Sequence, residues 1–153
     1  MLVWLSLLLL VPAQVVSDEQ PRDTLIVLQM GACERRCPVY RLMLFADGST
    51  VLDGRHYVRV PGLFRSKMKL DSIAKLIAQA EAIRFFDLKN SYEPGGDCES
   101  PKSDAPAAVL TISSRGRAKT IQHFRGCAGR EADQLKQLED AIVDASGIGK
   151  RIR

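Results

Sequence analysis

Six side chains in this chain have the chemistry to act as ligands, nucleophiles or cross-links: Cys33, Cys37, Cys98, Cys127, His56 and His123. Cys33 and Cys37 are the most suggestive, four positions apart with Pro38 directly after them. Three chemistries compete there. A disulfide would pin a turn and fix the start of an extended segment at Tyr40. A thiolate pair with His56 or His123 as third ligand would suit Cu(I), which prefers soft sulfur and imidazole donors. Thiol–disulfide exchange would use Arg35 and Arg36 to stabilise a thiolate, but the spacing is not Cys-x-x-Cys and no βαβ context surrounds it. The disulfide is the favoured reading, with no metal site.

No catalytic residue and no cofactor is assigned. Neither histidine has a nucleophile-elbow serine near it in sequence. Gly147-Ile148-Gly149 follows the last helical pattern, where a phosphate-cradling loop would precede one. Gly95, Gly96, Asp97, Glu99 and Asp104 lack the spacing of a calcium loop and read as a solvated loop.

The compartment decides what the cysteines mean. Residues 1–17 carry no charged side chain and hold the run Leu7-Leu8-Leu9-Leu10-Val11, broken by Pro12 and followed by small residues at Ala13 and Ser17. This is the pattern of a secretory signal peptide, without the usual basic start. The rival is an uncleaved anchor, but a bilayer crossing wants about 20 apolar residues. Cleavage would leave no membrane span, with the mature protein periplasmic or secreted. An even cysteine count in an exported chain favours disulfides. Four extended residues span roughly 13 Å, far beyond the Cα separation of a disulfide, so Cys33 and Cys37 join only across a turn. Cys98 and Cys127 flank a hairpin at similar distances from its turn. The expected pairs are Cys33–Cys37, worth about 2 kcal/mol by loop entropy, and Cys98–Cys127, worth about 3.5 kcal/mol.

Residues 18–23 form a linker, 24–147 a single domain and 148–153 a basic tail expected to fray. Within the domain, 24–30 is an apolar run suited to a buried strand. Residues 40–45 and 49–52 form a hairpin around Asp47-Gly48. Asp53-Gly54 predicts a break before a strand at 56–60, and 64–70 alternates with Arg65, Lys67 and Lys69 on one face. That basic row reads as a solvated face or as edge protection. Asp71 is the expected N-cap of a helix to Ile83, with Ile73, Leu76, Ile77, Ala80 and Ile83 inward. Phe86 and Leu88 are expected in the core, and 90–106 as a loop. A second hairpin, 108–113 and 118–124, precedes a helix over 131–145 with Leu135, Leu138, Ile142 and Ala145 inward and Gly147 as its stop. Strand meander, helix, hairpin and C-terminal helix, in that order, predict an α+β domain, a mainly antiparallel sheet with helices on one face. A net charge of +4, with 22 basic and 18 acidic residues, is too small and scattered for nucleic acid.

Several motifs occur together: Cys-Glu-Arg-Arg-Cys-Pro-Val-Tyr, with Pro38 and Tyr40; Ala-Asp-Gly, with Asp47 and Gly48; Asp-Gly-Arg-His-Tyr-Val; Phe-Phe-Asp-Leu-Lys-Asn-Ser-Tyr; and Ser-Asp-Ala-Pro. In combination the chain resembles a bacterial family of exported domains of unknown function. The resemblance covers roughly residues 25–145, departing at Ser103, where threonine is commoner, and in the extra pair Cys98 and Cys127. It implies fold and export and brings no activity with it. The Cys-x-x-x-Cys-Pro element is also similar to the copper-binding pair of the cytochrome oxidase assembly chaperones, but there it leads into a helix and here 39–45 reads as strand. The function expected is a non-enzymatic envelope module that binds an unknown protein or envelope component through the 90–106 loop and a sheet edge. The alternative is a copper-binding or thiol-redox protein centred on Cys33 and Cys37.

Overall fold

Every second residue of the first apolar run is buried, so 24–30 behaves as a strand with one face turned inward. A computed structural model describes residues 23–153. The leader at 1–17, and the linker apart from Asp23, lie outside the described residues. The run forms β1 (Thr24–Met30), flanked by β2 (Val39–Phe45) and β6 (Ala107–Ser114). The sheet continues through β3 (Ser49–His56) and β4 (Gly62–Lys67) on one side. On the other side come β7 (Arg117–Phe124) and β5 (Ser91–Tyr92). The strand order is β4-β3-β2-β1-β6-β7-β5, and only the β5–β7 pairing is parallel.

Register lines up one apolar row across six strands: Phe64, Leu52, Leu42, Leu28, Leu110 and Ile121. One helix, α1 (Leu70–Ala82), comes between β4 and β5, and two, α2 (Arg130–Ser146) and α3 (Gly149–Ile152), follow β7. Their buried residues, including Leu76, Ala80, Leu135, Leu138 and Ile142, join that row in one core cluster. Burying each such side chain is worth about 1.5–3 kcal/mol. The opposite face carries half-buried Val27, Met43 and Val109 beside exposed Gln29, Thr120 and Gln122. The architecture is α+β, as expected, with the helices on one face.

Several local expectations are corrected. β3 does not stop at Asp53-Gly54. It runs on to His56, and 57–61 bends back over it instead of forming a strand. Gly54 serves that close approach, because a Cβ there would stand 3.2 Å from both Val58 Cγ2 and the Val60 carbonyl oxygen. Lys69, not Asp71, is the N-cap of α1; Asp71 lies in the first turn, where its charge complements the helix dipole. Phe85, fully buried, takes the core position expected of Phe86. Arg84 in the left-handed conformation (φ 56°) resets the phase after α1. Phe86 is left half-buried under the Arg117 guanidinium, 4.3 Å from its ring centroid. Leu88 is buried as expected.

The 90–106 segment is not wholly a loop, since β5 pairs with β7 and Glu99 bridges Ala128. Ala145 is exposed and Val143 is inward. Gly147 closes α2 at φ 70°. The tail does not fray: α3 seats Ile152 in the core at 5% exposure.

Phe85→Ala should therefore cost about 3–5 kcal/mol in denaturant unfolding. Phe86→Ala should cost less than half as much, and the reverse order would refute this packing.

Candidate functional site

At the end of the sheet where β1 finishes, a cross-strand row runs Tyr40, Met30, Ala108, His123 and Tyr92. All four cysteines lie at this end. Gly31 N donates to Ala107 O at 2.8 Å as β1 leaves the sheet. The chain then turns through Cys33–Cys37, joined with Cα atoms 5.6 Å apart. Pro38 biases Cys37 toward extended backbone, and β2 starts at Val39. The turn is tied to the long loop as well: Arg35 N donates to Asp104 Oδ1, and Arg35 Nε pairs with Asp104 Oδ2, each at 3.0 Å. Cys98–Cys127, with Cα atoms 5.1 Å apart, fastens that loop to the segment between β7 and α2. Lys102 N donates to Gly126 O at 2.9 Å beside it.

Beneath the row sits a buried ionic cluster. His123 and Glu139 are each 1% exposed, with Nδ1 3.0 Å from Oε1. The two share a hydrogen bond, and His123 Nε2 has no partner among the described residues. Arg125 Nε lies 3.0 Å from Glu139 Oε2, an ionic contact not aligned as a hydrogen bond, and Arg125 Nη2 donates to Asp140 Oδ1 at 2.8 Å. A groove of about 560 Å³ opens above, lined by Cys37, Pro38, Tyr40, Arg125, Asp140 and Arg153 among others. Burial pushes the Tyr40 hydroxyl up to about 12, with Arg125 opposing. Tyr92 is also pushed up to about 12, by burial first and then by its hydrogen bond to Glu131 Oε2 at 2.5 Å. Both phenols stay neutral through ordinary pH. A second groove of about 450 Å³, by Tyr92, Asp97, Cys98 and Glu99, opens at the start of α2. There the Asp97 carboxylate raises the Lys89 ammonium through their hydrogen bond.

A family model described as a domain of unknown function (DUF6438) matches residues 24–146. The chain belongs to that family. No curated protein matches it, and no solved structure does.

This DUF6438 domain brings Cys33, Cys37, Pro38 and Tyr40 to one end of the sheet and leaves Asp47 and Gly48 at the other. Asp47 Oδ1 accepts from Ser49 N at 2.8 Å and from the Ser49 hydroxyl, and Gly48 takes φ 83°, so that pair shapes a hairpin. His56 is exposed, opposite Val39, whereas His123 is sealed inside. Among the described residues no group of three His, Cys, Asp or Glu is placed to hold a metal ion. Sequence reasoning missed Glu139, Arg125 and Asp140. The signal was present: Glu139 falls in the apolar stripe of α2, between Leu138 and Ile142, where a carboxylate needs a partner.

Replacing Cys98 and Cys127 by serine should lower stability by about 3.5 kcal/mol, against about 2 kcal/mol for Cys33 and Cys37; denaturant midpoints measured without reductant check the order. For Tyr40, the folded state keeps its proton up to about 12, while the unfolded phenol releases it near 10. Stability is intact below pH 10 and falls as pH rises through 12. Tyr40→Phe should flatten that loss in unfolding curves taken from pH 9 to 12, and an unchanged slope would refute the assignment.

Proposed function

We propose that this chain is an exported, non-enzymatic interaction module of the bacterial envelope, whose disulfides hold a sheet for display. The carrying observation is the placement of the cross-links. Both lie at the same end of the sheet, one closing the turn between β1 and β2 and one tying the loop after β5 to the segment between β7 and α2. Such cross-links persist in an oxidising compartment, which agrees with reading 1–17 as a cleaved leader and the mature chain as periplasmic or secreted. The polar groups inside support the same reading. His123 and Arg125 both contact Glu139 under the sheet, and Tyr92 is held by Glu131. These groups are occupied with one another inside the fold.

The rival is copper or thiol chemistry at Cys33 and Cys37. One observation favours it: His56 stands opposite Val39, two residues after Cys37, and both cysteines are half-exposed.

One preparation separates the two. The full chain, leader included, is expressed in a bacterium, and the envelope fraction is purified without reductant. The interaction module predicts a shortened N-terminus, no titratable thiol before or after denaturation, and copper far below one ion per chain. Two accessible thiols, or about one copper per chain, would establish the rival. Material retained in the cytosol would remove the export half of the proposal.

A further inference from the structure

The two edges of the sheet are unlike. β5 ends one side after two residues, and β4 ends the other with six. β4 pairs with β3 in unbroken register from Gly62↔Gly54 to Lys67↔Ser49, without a bulge, and Pro61 lies just before it. Its outer edge therefore presents a straight row of backbone N–H and C=O groups with no strand beyond it among the described residues. Natural sheets usually shorten, bulge or cover such an edge.

The side chains along β4 are also specific. Leu63, Arg65 and Lys67 share the face turned away from the helices, because they stand opposite Asp53, Val51 and Ser49. Leu63 is 66% exposed. Arg65 and Lys67 are exposed and make no ion pair among the described residues. Asp53, the carboxylate on the neighbouring strand, is already taken by Arg55 at 2.9 Å. Lys69 continues the basic row past the end of the strand, exposed as well. From the other face, Arg151 of α3 stacks on the Phe64 ring at 4.2 Å, adding a cation beneath the same edge. Val60 N donates to Arg151 O at 3.1 Å and holds α3 there.

We infer that the β4 edge receives an extended, acidic peptide segment of a partner protein, which adds to the sheet as an eighth strand. This rests on the interaction-module reading and names its surface and its partner class. Backbone pairing would supply affinity and the alternating side chains selectivity, as in other strand-addition complexes. Acidic residues at alternate positions would meet Arg65 and Lys67, and an apolar residue in the same series would cover Leu63.

A second copy of this chain fits less well. Antiparallel self-pairing that keeps the faces matched sets Arg65 against its own copy, or slides Arg65 against Leu63 and leaves Lys67 unpaired. Like charges directly opposite oppose pairing. The same charges that repel a copy attract an acidic strand, so edge protection and partner selection are one device. A rise in salt should weaken the complex, since these cations are exposed.

The probe is a panel of capped hexapeptides whose alternate positions carry Glu, Glu and Val with Thr between them, beside the same peptides with Lys for Glu. They are titrated into the disulfide-intact chain while backbone amide resonances are followed by NMR. The expected result is saturable perturbation centred on residues 62–67 with the Glu peptides and none with the Lys peptides. Methylating the peptide nitrogens that face β4 should abolish binding, whereas methylating those that face away should preserve it. The double variant Arg65→Glu and Lys67→Glu, checked for unchanged melting, should bind the Glu peptides at least tenfold more weakly and gain binding to the Lys peptides. Perturbation centred elsewhere, such as the Tyr40 groove, would overturn the β4 assignment while leaving an interaction module standing. Equal response to both peptide sets, indifference to methylation, or no binding by any peptide would also overturn it. Failure of the interaction-module reading shows separately, in the thiol and copper counts of the exported protein.

Discussion

β1 is hydrogen-bonded along both of its edges, and its register with β2 and β6 is the constraint on which the rest of the molecule depends. Leu28 stands opposite Leu42 on one side and Leu110 on the other. From that pairing the row extends to Phe64 and Ile121 without changing face. A slip of one residue would turn every one of these side chains to the wrong side, exposing the apolar surface that α1 and α2 cover. The helices contribute packing but little self-sufficiency. α1 has no side-chain cap and α2 begins after a glycine, also uncapped. Their stability is borrowed from the face they lie on.

The same register brings Tyr40, His123 and Tyr92 into line at one end, and there the chemistry of the interior changes. A carboxylate enters the core on α2 and is answered by an imidazole from β7 and a guanidinium just past its end. A buried ion cluster of this kind gives little net stability, because desolvation offsets the attraction. It does make alternatives costly, since any shift of α2 along the sheet would strand Glu139 without a partner. The cysteines occupy this end for a related reason. Two excursions leave the sheet here: Cys33–Cys37 closes the short one, and Cys98–Cys127 ties the longer one to the segment after β7, each limiting the freedom of the unfolded chain. Arg35 and Asp104 then join one excursion to the other.

The legible parts of the fold were those governed by local rules. A continuous apolar run marked β1, alternation marked β2, and the turn at 114–117 marked β6 and β7, each to within a residue or so. The Asp47-Gly48 hairpin and the Gly147 stop followed from turn chemistry, and the expected cysteine pairs from a turn at 33–37 and from Cys98 and Cys127 flanking one hairpin. What escaped was set by contacts distant in sequence. Nothing near Phe85 and Phe86 indicates which ring goes inward, because a left-handed residue at Arg84 decides the phase. Gly54 looked like a break, yet it is a strand residue left bare so that 57–61 can cross it. β5 pairs in parallel with a strand some thirty residues later, which no local pattern announces. The candidate site was half visible: the cysteine corner and Tyr40 stood out, while Glu139 was hidden within an otherwise ordinary apolar stripe.

The cross-linked end and the open edge explain each other. An edge strand with three of its six residues charged or polar on the surface, Arg65, Ser66 and Lys67, contributes little to the core; β4 places only Phe64 inward as a large apolar group. A sheet that relied on β4 for cohesion could not leave it in that state. Here cohesion comes from β1, its two neighbours, the helices packed on them and the disulfides at one end of their ladders. β4 is thereby released from a structural duty and can keep unpaired cations and an unbulged backbone without endangering the fold. α3 completes the arrangement: Ile152 anchors it in the core, Gly147 supplies the turn that leads back toward the sheet, and Arg151 steadies Phe64 from below. The edge is thus braced from underneath, and among the described residues no strand pairs with its outer side, the condition a pairing strand requires.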